Sequence, residues 1–459
     1  MISLNDVKNV HFVGIGGISM SGLAQILLES DYNITGSDIN ESNLISKLRK
    51  NGALVSIPHD PKNVEAAELV VYTAAVKQDN CEIIRAKELG IPTIDRATFL
   101  GMIMKNYKYG IAIAGCHGKT TTTSIISIII KNAQLDPTIL IGGEIEAIDG
   151  NVRVGKSDYF VTEACEYCES FLKFYPFVAA VLNIEKDHLD YYKDIDHIIS
   201  AFKKFVKLVP KDGSLVVCSD NKYALDISKE VDCKVLTYGI KNKADFYAKN
   251  IRYDNLGHPT FEVRHRSKKL GTFSLGIPGE HNVLNALAAI VIAYNAGIHM
   301  DTVKKSLKEF KGTHRRFDIK GTRNNITVVD DYAHHPTEIK ATLQAAKQFP
   351  HQKIWCVFQP HTYTRTRTLF NEFSEAFYDA DNVIITDIYA AREKDTGIIN
   401  PSELVDSINK FSANAVYRND FRSIADLIAK EAHPGDIIFT MGAGDVFKLA
   451  PMILDGIKI

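Results

Sequence analysis

The chain has 459 residues, a formal net charge of −1, 24% charged residues and 45% hydrophobic residues. That length suggests about three domains of roughly 150 residues each, and near-neutral charge without a basic block or an aromatic-interleaved basic stripe excludes a nucleic-acid-binding class. No apolar run approaches the roughly 18–20 residues of a membrane span. The start, MISLNDVKNVHFVGIGG, has no cationic stretch ahead of an apolar core, so no signal peptide is expected. Seven cysteines at irregular spacing fit reduced thiols, hence a cytoplasmic protein.

In chain order, Val10–Val13 predicts a first strand, followed by the glycine-rich GIGGISMSGLA (Gly14–Ala24) and a helix to about Ser30. This is a glycine turn feeding a helix, with Gly16 and Gly17 in the turn and Ser19 where a dinucleotide fingerprint has its third glycine. Asn33–Gly36 predicts the second strand, and Asp38 follows it about 20 residues past the turn, where an acidic group meets a ribose. The turn therefore suits a nucleotide or its diphosphate better than a redox cofactor. Strands at Leu69–Thr73 and Thr93–Ile94 continue a parallel α/β pattern to about Asn106.

The next strand, around Ile111–Ala114, runs into AGCHGKTTTT (Ala114–Thr123) and a helix to about Lys131. Strand, glycine turn, helix is the context of a phosphate loop. Gly115 and Gly118 let the backbone curl so that the N–H groups of Cys116, His117 and their neighbours face an anion. Lys119 supplies a cation for the β- and γ-phosphates, the Thr120 hydroxyl is a Mg²⁺ ligand, and Thr121 continues the helix start. The spacing is G-x-x-G-K-T, because position 113 is Ile. The run TTTTSIISIII is a poor intrinsic helix former, so burial must hold this helix.

Tyr159–Thr162 predicts a strand ending at Glu163, where a metal carboxylate belongs beside a phosphate loop. Cys165-x-x-Cys168 has no second pair at zinc-ribbon spacing. Val178–Leu182 predicts a strand leading into NIEKDHLDYY, in which His188 is either a surface or capping residue or a second divalent-metal ligand. Further strands are expected at Leu215–Cys218, Lys234–Tyr238 and Thr260–Val263. In the helix Pro278–Ala293, Asn282 and Asn285 share a face, suited to adenine recognition or to helix capping. Arg315 and Arg316 in FKGTHRRFD are a solvated pair or a phosphate clamp. Strands at Ile326–Val329, Ile354–Phe358, Val383–Thr386 and Asp436–Thr440 each precede a polar or glycine-rich loop, with a helix from Pro336 to about Phe349.

The set GIGGISMSGLA, AGCHGKTTT, EACE, NIEKDHLD, PGEHNVLNALAA, THRRFD, DDYAHHPTE, FQPHTYTRTR, DIYAAREKDTG and MGAGD resembles the Mur ligase family of peptidoglycan synthesis, from about Val10 to Asp445. The resemblance is to its branch that adds L-alanine first. It implies three α/β domains: 1–106, Rossmann-like, for the UDP-sugar; 107–318, P-loop ATPase-like, for ATP; and 319–459, Rossmann-like, for the amino acid. The partners implied are UDP-N-acetylmuramate, L-alanine and ATP, with two Mg²⁺ ions. Matched residue by residue, Lys119, Glu163 and His188 are catalytic, and Thr120, Glu163 and His188 hold metal. Asn282, Asn285, Arg316 and Asp331 contact the nucleotide. Gly16, Gly17, Ser19, Asp38, His361, Arg365, Arg367, Tyr389 and Arg392 face the other substrates. The sequence departs from many relatives at Leu182, Thr362, Cys165 and Cys168. The neighbouring activity within the resemblance is a recycling ligase that joins a whole peptide to the same UDP-sugar.

Overall fold

The structure is a computed structural model that describes residues 4–391, 393–411 and 414–457; Arg392 lies outside the described residues. It is an α/β protein of two compact units. Met1–Ile184, Ile199–Thr237 and Ala288–Thr302 form the first, and Glu185–Ile198, Tyr238–Leu287 and Val303–Ile459 form the second.

The first unit opens with strands β1 (Asn9–Val13), β2 (Asn33–Ser37), β3 (Leu54–Ser56), β4 (Leu69–Tyr72) and β5 (Thr93–Asp95). They form a parallel sheet in the order β3-β2-β1-β4-β5. The order reverses direction at β1, so the glycine turn after β1 sits at the topological switch point where open α/β sheets take ligands. Strands β6 (Tyr109–Ala114), β7 (Thr138–Ile145), β8 (Gly150–Arg153), β9 (Tyr159–Ala164), β10 (Val178–Val181), β11 (Ser214–Cys218) and the start of β12 (Lys234–Gly239) follow. Here β6 lies between β9 and β10, parallel to both, so the loops after these three strands emerge at one edge. Five of the six residues of β6 are buried, as a central parallel strand requires.

The helix after β6 spans Lys119–Asn132, and Thr121–Ile130 are all buried. Burial thus overrides the weak propensity of the β-branched run. The β7–β8 hairpin had no clear alternation to announce it. Its residues Leu140 and Asn151 pack on the helix Ile18–Leu28 at Gly22, where a Cβ would lie 2.5 Å from Leu140 Cδ1 and 3.2 Å from Asn151 Nδ2.

The second unit contains the antiparallel strands β13 (Phe246–Tyr253), β14 (Pro259–His265) and β15 (Lys268–Ser274). Its larger sheet is built from β16 (Asp318–Arg323), β17 (Ile326–Asp331), β18 (Ile354–Phe358), β19 (Asn382–Ile385), β20 (Ala415–Tyr417) and β21 (Ile437–Met441), in the order β16-β17-β21-β18-β19-β20. Only β16 is antiparallel. Alternate residues feed two separate cores, Val329, Cys356, Phe358, Ile385 and Phe439 on one face and Val328, Trp355, Val357, Ile384 and Ile438 on the other. Both faces are therefore covered. The helix from Pro336 ends at Ala346 rather than near Phe349, because Pro350 disfavours helical backbone before it.

A glycine in a helix interior is about 1 kcal/mol worse than alanine, so Gly101 within the helix Arg96–Met104 needs a packing reason. A Cβ at Gly101 would collide with the Lys173 carbonyl oxygen. Gly101→Ala should therefore destabilise by about 2 kcal/mol or more through overpacking, read as a lower thermal midpoint. A variant as stable as the parent chain would contradict this contact.

Candidate active site

In the first unit, Ser37 closes β2 and its carbonyl accepts the N–H groups of Gly14 (2.8 Å) and Ile15 (3.0 Å). The Asp38 carboxylate accepts from Gly16 N–H at 2.8 Å. A Cβ at Gly16 would stand 2.9 Å from that oxygen, so the turn tolerates no side chain there. Gly17 caps the helix Ile18–Leu28, and Ser19 Oγ accepts from the Arg96 guanidinium at 3.0 Å. The turn is thus held from the end of β2, with one Asp38 oxygen committed to the Gly16 amide. Arg96, which the sequence did not single out, stands beside it.

The turn after β6 is shaped by two left-handed glycines. Gly115 has φ +142°, and a Cβ there would lie 3.1 Å from Leu182 Cβ and 3.2 Å from Asn183 N. Gly118 has φ +82° and caps the helix Lys119–Asn132. Asn183, at the end of β10, grips the turn from the side: its amide accepts from His117 N–H (2.8 Å) and donates to the His117 carbonyl (3.0 Å). Cys116 N–H points to the Asn183 carbonyl at 3.3 Å. Lys119 Nζ donates to the carbonyl of Cys116 (3.2 Å) and to both oxygens of Glu166 (3.1 and 3.0 Å). Its side chain is 16% exposed and that of Glu166 is 1% exposed. Burial opposes the charge on Lys119, but the Glu166 carboxylate, with Cys165 and Cys116 nearby, raises its pKa above the ordinary lysine range. Burial and then Glu166 push the Cys165 thiol up to about 11, so it stays protonated at neutral pH.

Glu163 lies one residue before the end of β9, and its Oε1 accepts from Gly142 N–H at 2.7 Å. A Cβ at Gly142 would sit 3.1 Å from both carboxylate oxygens. Thr120 occupies the first turn of the adjoining helix. Glu163 and Thr120 thus offer a carboxylate and a hydroxyl from neighbouring elements of one unit, an oxygen donor set of the kind Mg²⁺ prefers.

In the second unit the segment Glu185–Asp190 is held by the larger sheet's loops. Thr337 Oγ1 donates to Glu185 (2.8 Å), the His335 ring meets the Lys186 carbonyl (3.1 Å), and Arg365 donates to Asp187 Oδ1 (2.9 Å). The other arm of Arg365 reaches His361 Nδ1 at 3.0 Å. The His361 ring stacks on Tyr389 at 5.7 Å and meets His334 edge-on at 5.8 Å. Burial would raise the Asp187 carboxyl, but His188 and Arg365 hold it well below the usual range. His188 adopts φ +51°, and its Nε2 lies 3.8 Å from Asp187 Oδ2. Lys186, Asp187, His188, Asp190, Arg365 and Leu369 line one pocket.

Arg316 lies over the Tyr332 ring at 5.0 Å and 3.5 Å from Glu338. Asp331, at the end of β17, spends its oxygens on Phe317 N–H (2.8 Å) and Ala333 N–H (2.7 Å). Burial pushes its pKa up to about 6 against the pull of Arg316. Asn285 donates to Asn282 (3.0 Å), which donates to the Pro278 carbonyl (2.6 Å). Within the second unit, then, His188, His361, Arg365 and Tyr389 come together. Arg367, two residues past Arg365, is exposed and makes none of these contacts. Sequence reasoning passes over Glu166, which stands inside a motif already noted, because its pairing with Lys119 is delivered only by the fold.

Residues 9–108 match the family described as Mur ligase family, catalytic domain; residues 113–293 match Mur ligase middle domain; residues 315–444 match Mur ligase, glutamate ligase domain. The chain is 55% identical over 454 residues to a UDP-N-acetylmuramate–L-alanine ligase of Caldanaerobacter subterraneus, covering 99% of each chain. It is 55% identical over 458 residues to one of Alkaliphilus metalliredigens, again covering 99% of each. Among solved structures it is similar to a UDP-N-acetylmuramate-alanine ligase of Thermotoga maritima, with 30% identity, TM-score 0.83, and 97% of this chain and 98% of that one covered. It is also similar to a murein peptide ligase of Psychrobacter arcticus, with 26% identity, TM-score 0.72 and 98% of each covered.

Burial, and next the Arg365 guanidinium, lower the His361 pKa to about 4. Burial lowers His334 to about 3, with Arg365 adding to it against the pull of Glu338. Both folded values lie below the ordinary imidazole value of about 6.5. The unfolded chain therefore takes up these protons first, and stability that is full above about pH 6.5 falls as pH drops toward about 4. His361→Gln, which keeps an acceptor for Arg365, should flatten the fall of the thermal midpoint between about pH 6.5 and 4.5. An unaltered acid slope would contradict the neutral, buried state of this ring.

Proposed function

The chain belongs to the Mur ligase family, and from that membership we propose that it joins L-alanine to the lactyl carboxylate of UDP-N-acetylmuramate at the expense of ATP. This makes it a cytoplasmic enzyme of peptidoglycan precursor synthesis. The observation that carries the reading is the Lys119 ammonium fixed in its G-x-x-G-K-T turn at the end of a central parallel strand, in a chain so similar to L-alanine ligases over its full length.

A carboxylate is a poor electrophile, so amide formation needs an activated acid. A lactyl oxygen attacks the γ-phosphorus of ATP, the bond to the β-phosphate oxygen breaks, and ADP leaves behind an acyl phosphate. The amine of L-alanine then attacks the acyl carbon, and the tetrahedral adduct collapses to the amide and inorganic phosphate. Glu166 keeps Lys119 charged and aimed, and the β- and γ-phosphates compete for that ammonium. Asn183 holds the turn in shape, and the free N–H groups at the start of the helix that follows it would donate to the phosphate oxygens. Thr120 and Glu163 would hold one Mg²⁺ and His188 a second, the imidazole site being the weaker because Mg²⁺ favours oxygen. Held by these residues, Mg²⁺ would supply positive charge beside the transferring phosphoryl group. Gly16, Gly17, Ser19 and Asp38 serve the UDP-sugar. Asn282, Asn285, Arg316 and Asp331 serve the nucleotide side. His361, Arg365 and Tyr389 serve the amino acid and acyl group, with Arg367 and Arg392 assigned to that side by family match alone.

The recycling ligase is the neighbouring reading, since a murein peptide ligase shares the fold. Phosphate release from ATP and UDP-N-acetylmuramate should respond to L-alanine and far less to the stem tripeptide; preference for the tripeptide would overturn the assignment. In the same assay Lys119→Ala should lower turnover by at least about a hundredfold, while calorimetric binding of UDP-N-acetylmuramate persists. Near-normal turnover would remove this turn as the ATP site.

A further inference from the structure

Beneath the first glycine turn lies a charged group that the proposed reaction does not use. Glu82 is 0% exposed, in the first turn of the helix Cys81–Glu88. An ionised carboxylate in that position is strongly unfavourable unless fully partnered. Here the partners are supplied from four elements. Oε2 accepts from Ser37 Oγ at 2.5 Å and faces His59 Nδ1 at 3.1 Å. His11 Nε2, on β1 and itself 0% exposed, lies 3.6 Å from the same oxygen. Oε1 accepts from Asn63 Nδ2 (2.7 Å) and Asp60 N–H (3.2 Å). Burial would raise the carboxyl pKa, but His11 at 3.6 Å and the hydrogen bonds from Ser37 and Asn63 hold it down to about 2. The group is charged, enclosed and multiply anchored.

What it anchors is the end of β2. The Ser37 hydroxyl is shared between Glu82 and His59 (2.7 Å), while the Ser37 carbonyl receives the amides of Gly14 and Ile15. One residue on, Asp38 receives the amide of Gly16. Three successive amides of the turn therefore take their direction from Ser37–Asp38. The neighbouring backbone leaves no slack, since a Cβ at Gly36 would lie 2.5 Å from Ile15 Cδ1 and 2.9 Å from the Phe12 carbonyl oxygen. A buried charge that served stability alone would be an expensive choice, because well-packed apolar residues of similar volume are often as stabilising. A carboxylate does what an apolar group cannot: it fixes a hydroxyl, and so a strand end, in one orientation.

We propose that Glu82 is a positioning residue for the UDP-sugar site, acting through Ser37 to fix the backbone of the Gly14–Gly16 turn in the shape that receives the substrate, without touching it. This rests on the reading of the turn as the UDP-sugar site. The full-length enzyme with Glu82→Gln should show a KM for UDP-N-acetylmuramate, and a calorimetric Kd for UDP, raised by about tenfold. The KM for ATP should stay within about twofold. Ser37→Ala, which cuts the link while leaving the carboxylate buried, should act in the same direction and serves alone if Glu82→Gln does not fold. The double variant should be no worse than the worse single one, because both act on one connection. A lowered thermal midpoint with unmoved KM and Kd would show a purely structural carboxylate and overturn the proposal, and additive losses would overturn the route through Ser37. If the parent enzyme shows no turnover with UDP-N-acetylmuramate and binds no UDP, the reading beneath fails instead. Parent turnover with unaffected variants sinks the positioning role alone.

Discussion

The ammonium of Lys119 is enclosed by the carbonyls of its own turn and by the nearly inaccessible carboxylate of Glu166. A buried cation of this kind exists only if the fold provides for it, and the surrounding structure is arranged to that end. Gly115 and Gly118 take left-handed conformations that side chains resist. Asn183 fastens the turn from the next strand end. The helix behind it is buried along ten consecutive residues of poor helix propensity. Each device gives up local preference to fix one charge and a set of amides where phosphate chemistry can use them. The same arrangement accounts for Lys119 lying at a central strand rather than on a peripheral loop.

The second unit uses charge in a complementary way. Asp187, Arg365 and His361 form a continuous hydrogen-bonded line, extended by ring contacts to His334 and Tyr389. The histidines remain neutral at physiological pH because burial and Arg365 both disfavour a further positive charge. A neutral imidazole can still accept a proton or a hydrogen bond. An arginine fixed by a buried carboxylate presents its guanidinium in one orientation. The polar groups are thus directional rather than merely charged.

Much of this was legible in the residues. The glycine turn after β6, Glu163 near a strand end, and the polar loops after parallel strands follow from local pattern, because strand, turn and helix signals lie within a few residues of one another. The parts that were not legible depend on distant partners. Glu166 and Asp187 look like ordinary acids until Lys119 and Arg365 reach them, and Glu82 looks like a surface helix residue until β1 and β2 close over it. Arg365 and Arg367 are equivalent on paper, yet a separation of two residues on a helix turns one inward and leaves the other exposed. The β7–β8 hairpin was missed because its Gly142-Gly143 break obscures any alternation, and Gly142 is what lets the Glu163 carboxylate approach the strand.

The central claim is that the lactyl carboxylate takes the γ-phosphoryl group from ATP at the Lys119 turn before the amine attacks. UDP-N-acetylmuramate carrying oxygen-18 in both carboxylate oxygens tests it directly, with phosphate and nucleotide products analysed by mass spectrometry after one round of ligation. One labelled oxygen should appear in inorganic phosphate, one should remain in the amide carbonyl, and ADP should carry none. Label recovered in a nucleotide product, or phosphate wholly free of it, would contradict the acyl-phosphate route and the role assigned to the turn.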